Sequence, residues 1–198
     1  MKKIVLLIAL CAVFPSFVMA REIMASPLEG YWVLNGNTGT ESEIAEMVFF
    51  GNVLLFKHRD VPAVYFGGYF NHTSRAITIP LLSASWQYQL SGNTLSIITN
   101  EGENLTLTKT ETIPNPIEGF WRASDDGSIM LLTADIMAVS EGANFMGVKI
   151  IINDKWFQPS PQQLGELNPS DSCIEYTLLG KSLLIRHGGE EVELIKVY

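Results

Sequence analysis

Cysteine is almost absent from this chain, and its scarcity excludes disulfides as the main way of stabilising the fold. The 198 residues contain 2 cysteines, Cys11 and Cys173. Because Cys11 falls in an apolar N-terminal segment, Cys173 has no partner for an internal disulfide in the rest of the chain. We expect the Cys173 thiol to be buried, since an apolar segment follows it. A dimer linked through Cys173 is the alternative.

Histidine is scarce too, and the three that are present lack the spacing of a metal site. His58, His72 and His187 are far apart in sequence, and the patterns His-x-His, His-Glu-x-x-His and Cys-x-x-Cys do not occur. Gly-x-Ser-x-Gly, which surrounds many nucleophilic serines, is also absent. We therefore expect no catalytic residue, no metal and no cofactor. A hydrolase that uses paired carboxylates stays open, because the separation of two carboxylates depends on the fold.

Positive charge is in deficit. Lys and Arg number 13 against 21 Asp and Glu, which gives a formal net charge of −8. An acidic protein repels phosphate backbones, so we expect no nucleic acid partner. A basic protein is the kind of partner that this charge would attract.

Long hydrophobic runs are missing, and the apolar stretch at the N-terminus is too short to cross a membrane. Residues 4–13 follow Lys2 and Lys3, and small residues precede position 21, which is typical of a signal peptide over residues 1–20. A membrane span needs roughly 20 apolar residues. We expect a periplasmic or secreted protein without a membrane span. The bulky Leu10 before Cys11 argues against an outer-surface lipoprotein.

No segment shows a helical period, whereas alternation of apolar and polar residues is common. Residues 103–109 place Leu105 and Leu107 on one face and Thr106 and Thr108 on the other. Similar short segments are predicted at 44–50, 53–57, 63–70, 76–79 and 191–196. With glycine-containing turns between them, they predict an all-β barrel or sandwich of about eight strands per unit. The longest predicted loop is 158–169, which is rich in proline.

Two copies of one pattern run through the chain. Pro-Leu-Glu-Gly-Tyr-Trp at 27–32 returns as Pro-Ile-Glu-Gly-Phe-Trp at 116–121, and the Tyr-x-Leu-x-Gly block at 88–97 returns at 176–185. The Trp-to-Tyr interval is 56 positions in the first copy and 55 in the second. This predicts two repeats, at 27–111 and 117–198, joined by a proline-containing linker at 112–116. One pseudo-symmetric barrel or sandwich built from both repeats is the alternative.

The repeated residues resemble a known family. Gly-x-Trp on a first strand, followed by an antiparallel meander, is similar to the lipocalin superfamily and especially to small bacterial lipocalin-like domains of exported proteins. The residues that carry the signature in both copies are Gly30, Trp32, Tyr88, Gly119, Trp121 and Tyr176. The resemblance implies two tandem antiparallel meander barrels. It also implies a basic residue near the last strand that packs on the Trp, a place held by Lys109 and Lys196.

Because both copies share these signature residues, we interpret them as structural and look for function where the copies differ. Tyr65, Tyr69, Trp86 and Trp156 are the aromatic candidates for a ligand pocket, although an aromatic residue in a strand more often belongs to the core. The leading hypothesis is an exported, non-catalytic, lipocalin-like protein that binds a small apolar or amphipathic ligand. The alternative is an acidic periplasmic or surface module that binds another protein, as an inhibitor or adhesin does.

Overall fold

A computed structural model describes residues 26–35, 43–61, 64–160 and 173–197. The predicted signal peptide at 1–20 lies outside these residues, as does most of the predicted loop at 158–169. Contacts divide the chain into two compact units. The first ends at Thr112 and also includes Ala143–Phe145, and the second includes Ile113–Gly142 and the chain from Met146 onward.

The first unit is an antiparallel sheet that closes on itself. β1 (Gly30–Leu34) pairs with both β2 (Ile44–Phe50) and β9 (Asn104–Thr110). The strands between them follow one another in chain order, and β4 (Val64–Tyr69) and β5 (Asn71–His72) are separated by Phe70 alone. The strands are β1 (Gly30–Leu34), β2 (Ile44–Phe50), β3 (Val53–His58), β4 (Val64–Tyr69), β5 (Asn71–His72), β6 (Ala76–Ile79), β7 (Ala84–Ser91), β8 (Thr94–Ile98) and β9 (Asn104–Thr110).

The second unit repeats this plan. β10 (Gly119–Ala123) pairs with both β11 (Ile129–Leu132) and β17 (Glu190–Lys196), and the strands between them pair in chain order. The strands are β10 (Gly119–Ala123), β11 (Ile129–Leu132), β12 (Ile136–Glu141), β13 (Asn144–Ile152), β14 (Trp156–Pro159), β15 (Ile174–Leu179), β16 (Ser182–His187) and β17 (Glu190–Lys196).

The predicted all-β, antiparallel barrel fold is thus confirmed. Within the described residues, the helical structure is a single 3-10 turn at Pro80–Leu82. Alternation predicted the strand faces as well: Leu105 and Leu107 are buried in β9, while Thr108 is exposed. Glycines at positive φ turn the chain between strands, as Gly92 does between β7 and β8 and Gly180 does between β15 and β16.

Each unit has its own hydrophobic core, built from the inward-facing side chains of its strands. In the first unit, Trp32, Phe49, Phe70 and Trp86 belong to one buried cluster, in which the rings of Phe49 and Phe70 meet edge to face with centroids 5.3 Å apart. The core of the second unit surrounds Trp121, Phe157 and Tyr176. Burying each large apolar side chain contributes about 1.5–3 kcal/mol, so these clusters are the main favourable term in folding.

Two local expectations were wrong. The predicted loop at 158–169 begins too early, because Gln158 and Pro159 form the end of β14 and pair with β13. A proline is tolerated there because the next residue, Ser160, donates the backbone hydrogen bond to β13, at the Lys149 carbonyl, 2.8 Å away. Cys173 is half-buried rather than buried, since it precedes β15 instead of lying within it.

Candidate functional site

The repeated Gly-x-Trp segment builds the same structure in both units. The indole Nε1 of Trp32 donates to the Leu28 carbonyl at 2.7 Å, and that of Trp121 donates to the Ile117 carbonyl at 2.7 Å. Both rings are buried. A tight turn precedes each strand, closed by Glu29 N–H to the Ser26 carbonyl in the first copy. Each Trp is therefore satisfied by the backbone just before its own strand, which is a structural role.

The expected lysine packing is present in both copies. The Lys109 Nζ lies over the Trp32 ring, 5.6 Å from its centroid, and the Lys196 Nζ lies 5.3 Å from the centroid of Trp121. In the first copy, Gly30, two residues before Trp32, makes room for this contact. A Cβ on Gly30 would stand 2.5 Å from Lys109 Cε, and the φ of Gly30 is +131°. Such cation–π contacts contribute about 0.5–2 kcal/mol each, depending on burial.

The repeated tyrosines are anchored inside the fold as well. Tyr88 Oη donates to the Thr73 carbonyl at 2.8 Å, and Tyr176 Oη donates to the Asn153 carbonyl at 2.5 Å. Burial raises the pKa of both phenols, and the negative charge of Asp154 raises the pKa of Tyr176 further. Both side chains therefore stay protonated near neutral pH, where they act as hydrogen-bond donors.

The aromatic residues predicted to line a pocket do not share one surface in the first unit. Trp86 belongs to the interior cluster. Tyr65 and Tyr69 lie on the other face of β4, because the alternate residues Phe66 and Gly68 pair with Phe56 and Leu54, which face the interior cluster. Tyr65 is fully buried and Tyr69 half-buried. Trp156, in the second unit, is half-buried at the start of β14.

Tyr65 takes part in a polar cluster that the sequence did not indicate. The Glu46 carboxylate accepts from Lys57 Nζ at 2.6 Å and from Tyr65 Oη at 2.5 Å. Glu46 and Lys57 are direct cross-strand neighbours on β2 and β3. The register that brings them together is a tertiary feature, so spacing along the chain could not reveal it. Since the lysine balances the glutamate, the cluster is a stabilising ion pair with a tyrosine attached.

The interiors of the two barrels differ at matched positions. In the first unit the cross-strand order is Trp32, Met47, Phe56, and in the second it is Trp121, Met130, Val139. Phe56 is thus replaced by the smaller Val139. Met47 is 0% exposed and Phe56 7% exposed, whereas Met130 and Val139 are both half-buried. These interior positions are buried in the first barrel and partly exposed to solvent in the second.

Two further matched positions carry smaller side chains in the second unit. When the two copies are aligned on the shared Tyr-x-Leu block, Trp86 of the first unit corresponds to Ile174 of the second. The strand registers likewise match Leu105, which is buried, with Val192, which is half-buried. Val148 is another half-buried side chain that packs against the second core. We define Met130, Val139, Val148 and Val192 as the open interior set; it is apolar and partly accessible to solvent.

Other kinds of site find little support among these residues. In the described part of the chain, no three His, Cys, Asp or Glu side chains cluster as metal ligands would. No helix within the described ranges is long and apolar enough to cross a membrane. Burial and the nearby Glu175 raise the pKa of the Cys173 thiol, which lowers its thiolate fraction and slows oxidation.

Comparison with known proteins does not place this antiparallel barrel in a family. No family model matches, and no curated protein matches. The similar solved structures include the DNA polymerase III subunit beta of Pseudomonas aeruginosa (10% identity, TM-score 0.21, 88% of this chain and 59% of that chain). A second is the Helicobacter pylori beta clamp bound to a DNA ligase peptide (9% identity, TM-score 0.20, 83% and 60%).

This chain therefore spans about three fifths of the length of these clamps. A TM-score near 0.2 carries no argument about shared fold or function.

Proposed function

We propose that this protein is an exported, non-catalytic binding protein that holds the apolar part of a small ligand inside its second barrel. The observation that supports the proposal is the open interior set. Met130, Val139 and Val192 face the barrel interior and remain partly exposed, although their counterparts in the first unit are buried. Small-molecule sites are lined mainly by apolar side chains that are largely in place before the ligand arrives.

The first barrel is a poor candidate for the same role. Phe49, Phe56, Phe70 and Trp86 fill its interior together with the closing Trp32. An eight-stranded barrel is just wide enough to be filled by its own side chains, so aromatic residues at these positions leave little room. In the second unit, Val139 and Ile174 stand where the first has Phe56 and Trp86. Phe157 stands where the first has the smaller Ile77, and it offsets part of the volume that these two exchanges release. In both units a lysine packs on the tryptophan of the Gly-x-Trp segment, as the lipocalin-like resemblance implies. This resemblance fits the same proposal, because lipocalin-like barrels often bind apolar ligands.

A filling variant tests this function. Val139→Phe and Ile174→Trp introduce into the second barrel the residues that the first barrel carries at the same positions. Fluorescence titration with 1-anilinonaphthalene-8-sulfonate, an amphipathic probe, should show saturable 1:1 binding to the parent protein. We expect the double variant to lose at least about tenfold in affinity, since the added side chains occupy the space that the probe needs.

The control for this variant is Thr177→Gln on the exposed face of β15, where the first unit carries Gln89. It should bind the probe as the parent does. Overpacking can cost about 1–3 kcal/mol, so thermal unfolding must show that the filled variant is still folded at the titration temperature. Unchanged affinity in a folded filled variant would refute a site inside the second barrel.

A further inference from the structure

The outer face of β15, β16 and β17 presents a small apolar group among charges. The strand registers place nine outward residues in three rows of three: Glu175, Arg186 and Glu191; Thr177, Leu184 and Glu193; Leu179, Ser182 and Ile195. Leu179 is 57% exposed and Ile195 41% exposed, and Leu184, in the adjoining row, is half-buried. These three apolar side chains surround Ser182. We name the nine residues the β15–β17 face.

The first unit shows that the fold does not require this composition. Its matched face on β7, β8 and β9 has the same registers, with Gln87, Ile98 and Asn104; Gln89, Ser96 and Thr106; Ser91, Thr94 and Thr108. Where the second unit has Leu179, Leu184 and Ile195, the first has Ser91, Ser96 and Thr108. At these three positions one backbone arrangement thus carries neutral polar residues in the first copy and apolar residues in the second, while the apolar residue of the first-unit face, Ile98, stands alone among polar neighbours where the second unit has Arg186. Exposed apolar groups with a polar rim are typical of interaction sites.

The charge of the β15–β17 face limits the kind of partner that it can bind. The three acidic positions of the β15–β17 face, Glu175, Glu191 and Glu193, correspond to Gln87, Asn104 and Thr106 in the first unit. Arg186 forms an ion pair with Glu191, with Nε 2.5 Å from Oε2. Among the described residues, neither Glu175 nor Glu193 forms an ion pair. The face is therefore acidic beside its apolar centre, on a chain of net charge −8.

The area of the β15–β17 face limits the size of the partner that it can bind. Three strands about 4.8 Å apart, each contributing five residues at about 3.3 Å per residue, give a face of roughly 15 by 17 Å. A stable interface between globular proteins buries about 800 Å² on each partner, several times this area. The face is therefore too small to hold a globular partner or a second copy of this chain by itself. Its dimensions suit a short peptide segment.

We infer that the β15–β17 face binds a short segment of a basic partner protein, with apolar side chains placed over Leu179, Leu184 and Ile195 and basic side chains beside Glu175 and Glu193. This inference is independent of the ligand proposed for the barrel interior, because these side chains point outward. Opposite charges on face and segment would speed association and make binding depend on salt.

The test uses a ten-residue synthetic peptide of alternating leucine and lysine as the probe, titrated into the full-length protein in a calorimeter at low salt. We expect saturable 1:1 binding by the parent. The variant Leu179→Ser, Leu184→Ser, Ile195→Thr takes its new residues from the matched face of the first unit. It should bind at least about tenfold more weakly, as is usual when the centre of an interface is truncated.

A second variant, Glu175→Gln, Glu191→Asn, Glu193→Thr, tests the charges with residues that are again taken from the first unit. It should bind more weakly than the parent and lose most of the salt dependence. The control Ser91→Ala, Thr94→Ala, Thr108→Ala alters the first-unit face and should bind as the parent does. Thermal unfolding verifies that each variant is folded.

The inference fails if the parent does not bind the peptide, if the apolar variant binds as tightly as the parent, or if the first-unit control is weakened equally. The filled-barrel variant Val139→Phe, Ile174→Trp should still bind the peptide. A result against the interior ligand and a result against the outer face can therefore be told apart.

Discussion

Single residues carry the shared architecture of the two units, and Gly30 shows why glycine is needed. Its φ of +131° lies in a region that side-chain-bearing residues rarely adopt. The missing side chain also leaves the space through which Lys109 reaches the face of Trp32. Gly119, two residues before Trp121, also has a positive φ, of +142°. Conformation and packing therefore select glycine independently at the same position.

Replacing Gly30 by alanine should destabilise the protein by about 2–5 kcal/mol. About 1–3 kcal/mol comes from backbone strain, and the rest from moving Lys109 off the Trp32 ring. Gly92→Ala is the control, because Gly92 also has positive φ (+57°) but its added Cβ would meet nothing within 4 Å. That control should cost about 1 kcal/mol. Denaturant unfolding measures both, and equal costs would contradict a role for the Lys109 contact.

Among the strands, alternation decides which side chains are buried, and this could be predicted from local sequence. In β8, Leu95 and Ile97 are buried while Ser96 is exposed. The strands predicted at 44–50 and 76–79 have those bounds in the structure. Local sequence did not predict the end of β14, because proline is a poor strand former. Pro159 is held in the strand by its pairing with Ile150 on β13. Such pairing between strands overrides local propensity.

Adjacent substitutions in β8 should separate the two faces of the strand. Ile97→Asp places a charge in the core of the first unit and should cost more than about 4 kcal/mol. Ser96→Asp places the same side chain on the exposed face and should cost about 1 kcal/mol or less. Urea unfolding of the two variants provides the comparison. Similar losses from both would mean that β8 does not have one buried and one exposed face.

At the scale of the whole molecule, charge limits the partners. The formal net charge of −8 works against binding to a polyanion, since each phosphate contact would need a lysine or arginine that the chain has in short supply. The low-similarity match to sliding clamps does not alter this expectation.

We expect no binding to duplex DNA at physiological salt. An electrophoretic mobility assay with a short duplex, at protein concentrations up to about 10⁻⁴ M, the upper range of ordinary non-specific binding, should show free DNA throughout. A basic DNA-binding protein assayed alongside verifies that the conditions detect non-specific complexes. A shifted band that weakens as salt increases would contradict the prediction.

For the chain as a whole, local sequence was enough to predict the all-β class and the positions of most strands, and the lipocalin-like resemblance pointed to Lys109 and Lys196 as partners of Trp32 and Trp121. The sequence could do so because alternation is local and the repeat aligns equivalent residues. Two features depend on the assembled fold: Tyr65 lies away from the barrel interior and donates to Glu46, and Met130 and Val139 are partly exposed where Met47 and Phe56 are buried. Cross-strand register and the filling of an interior depend on many side chains from separate strands, so no local pattern records them.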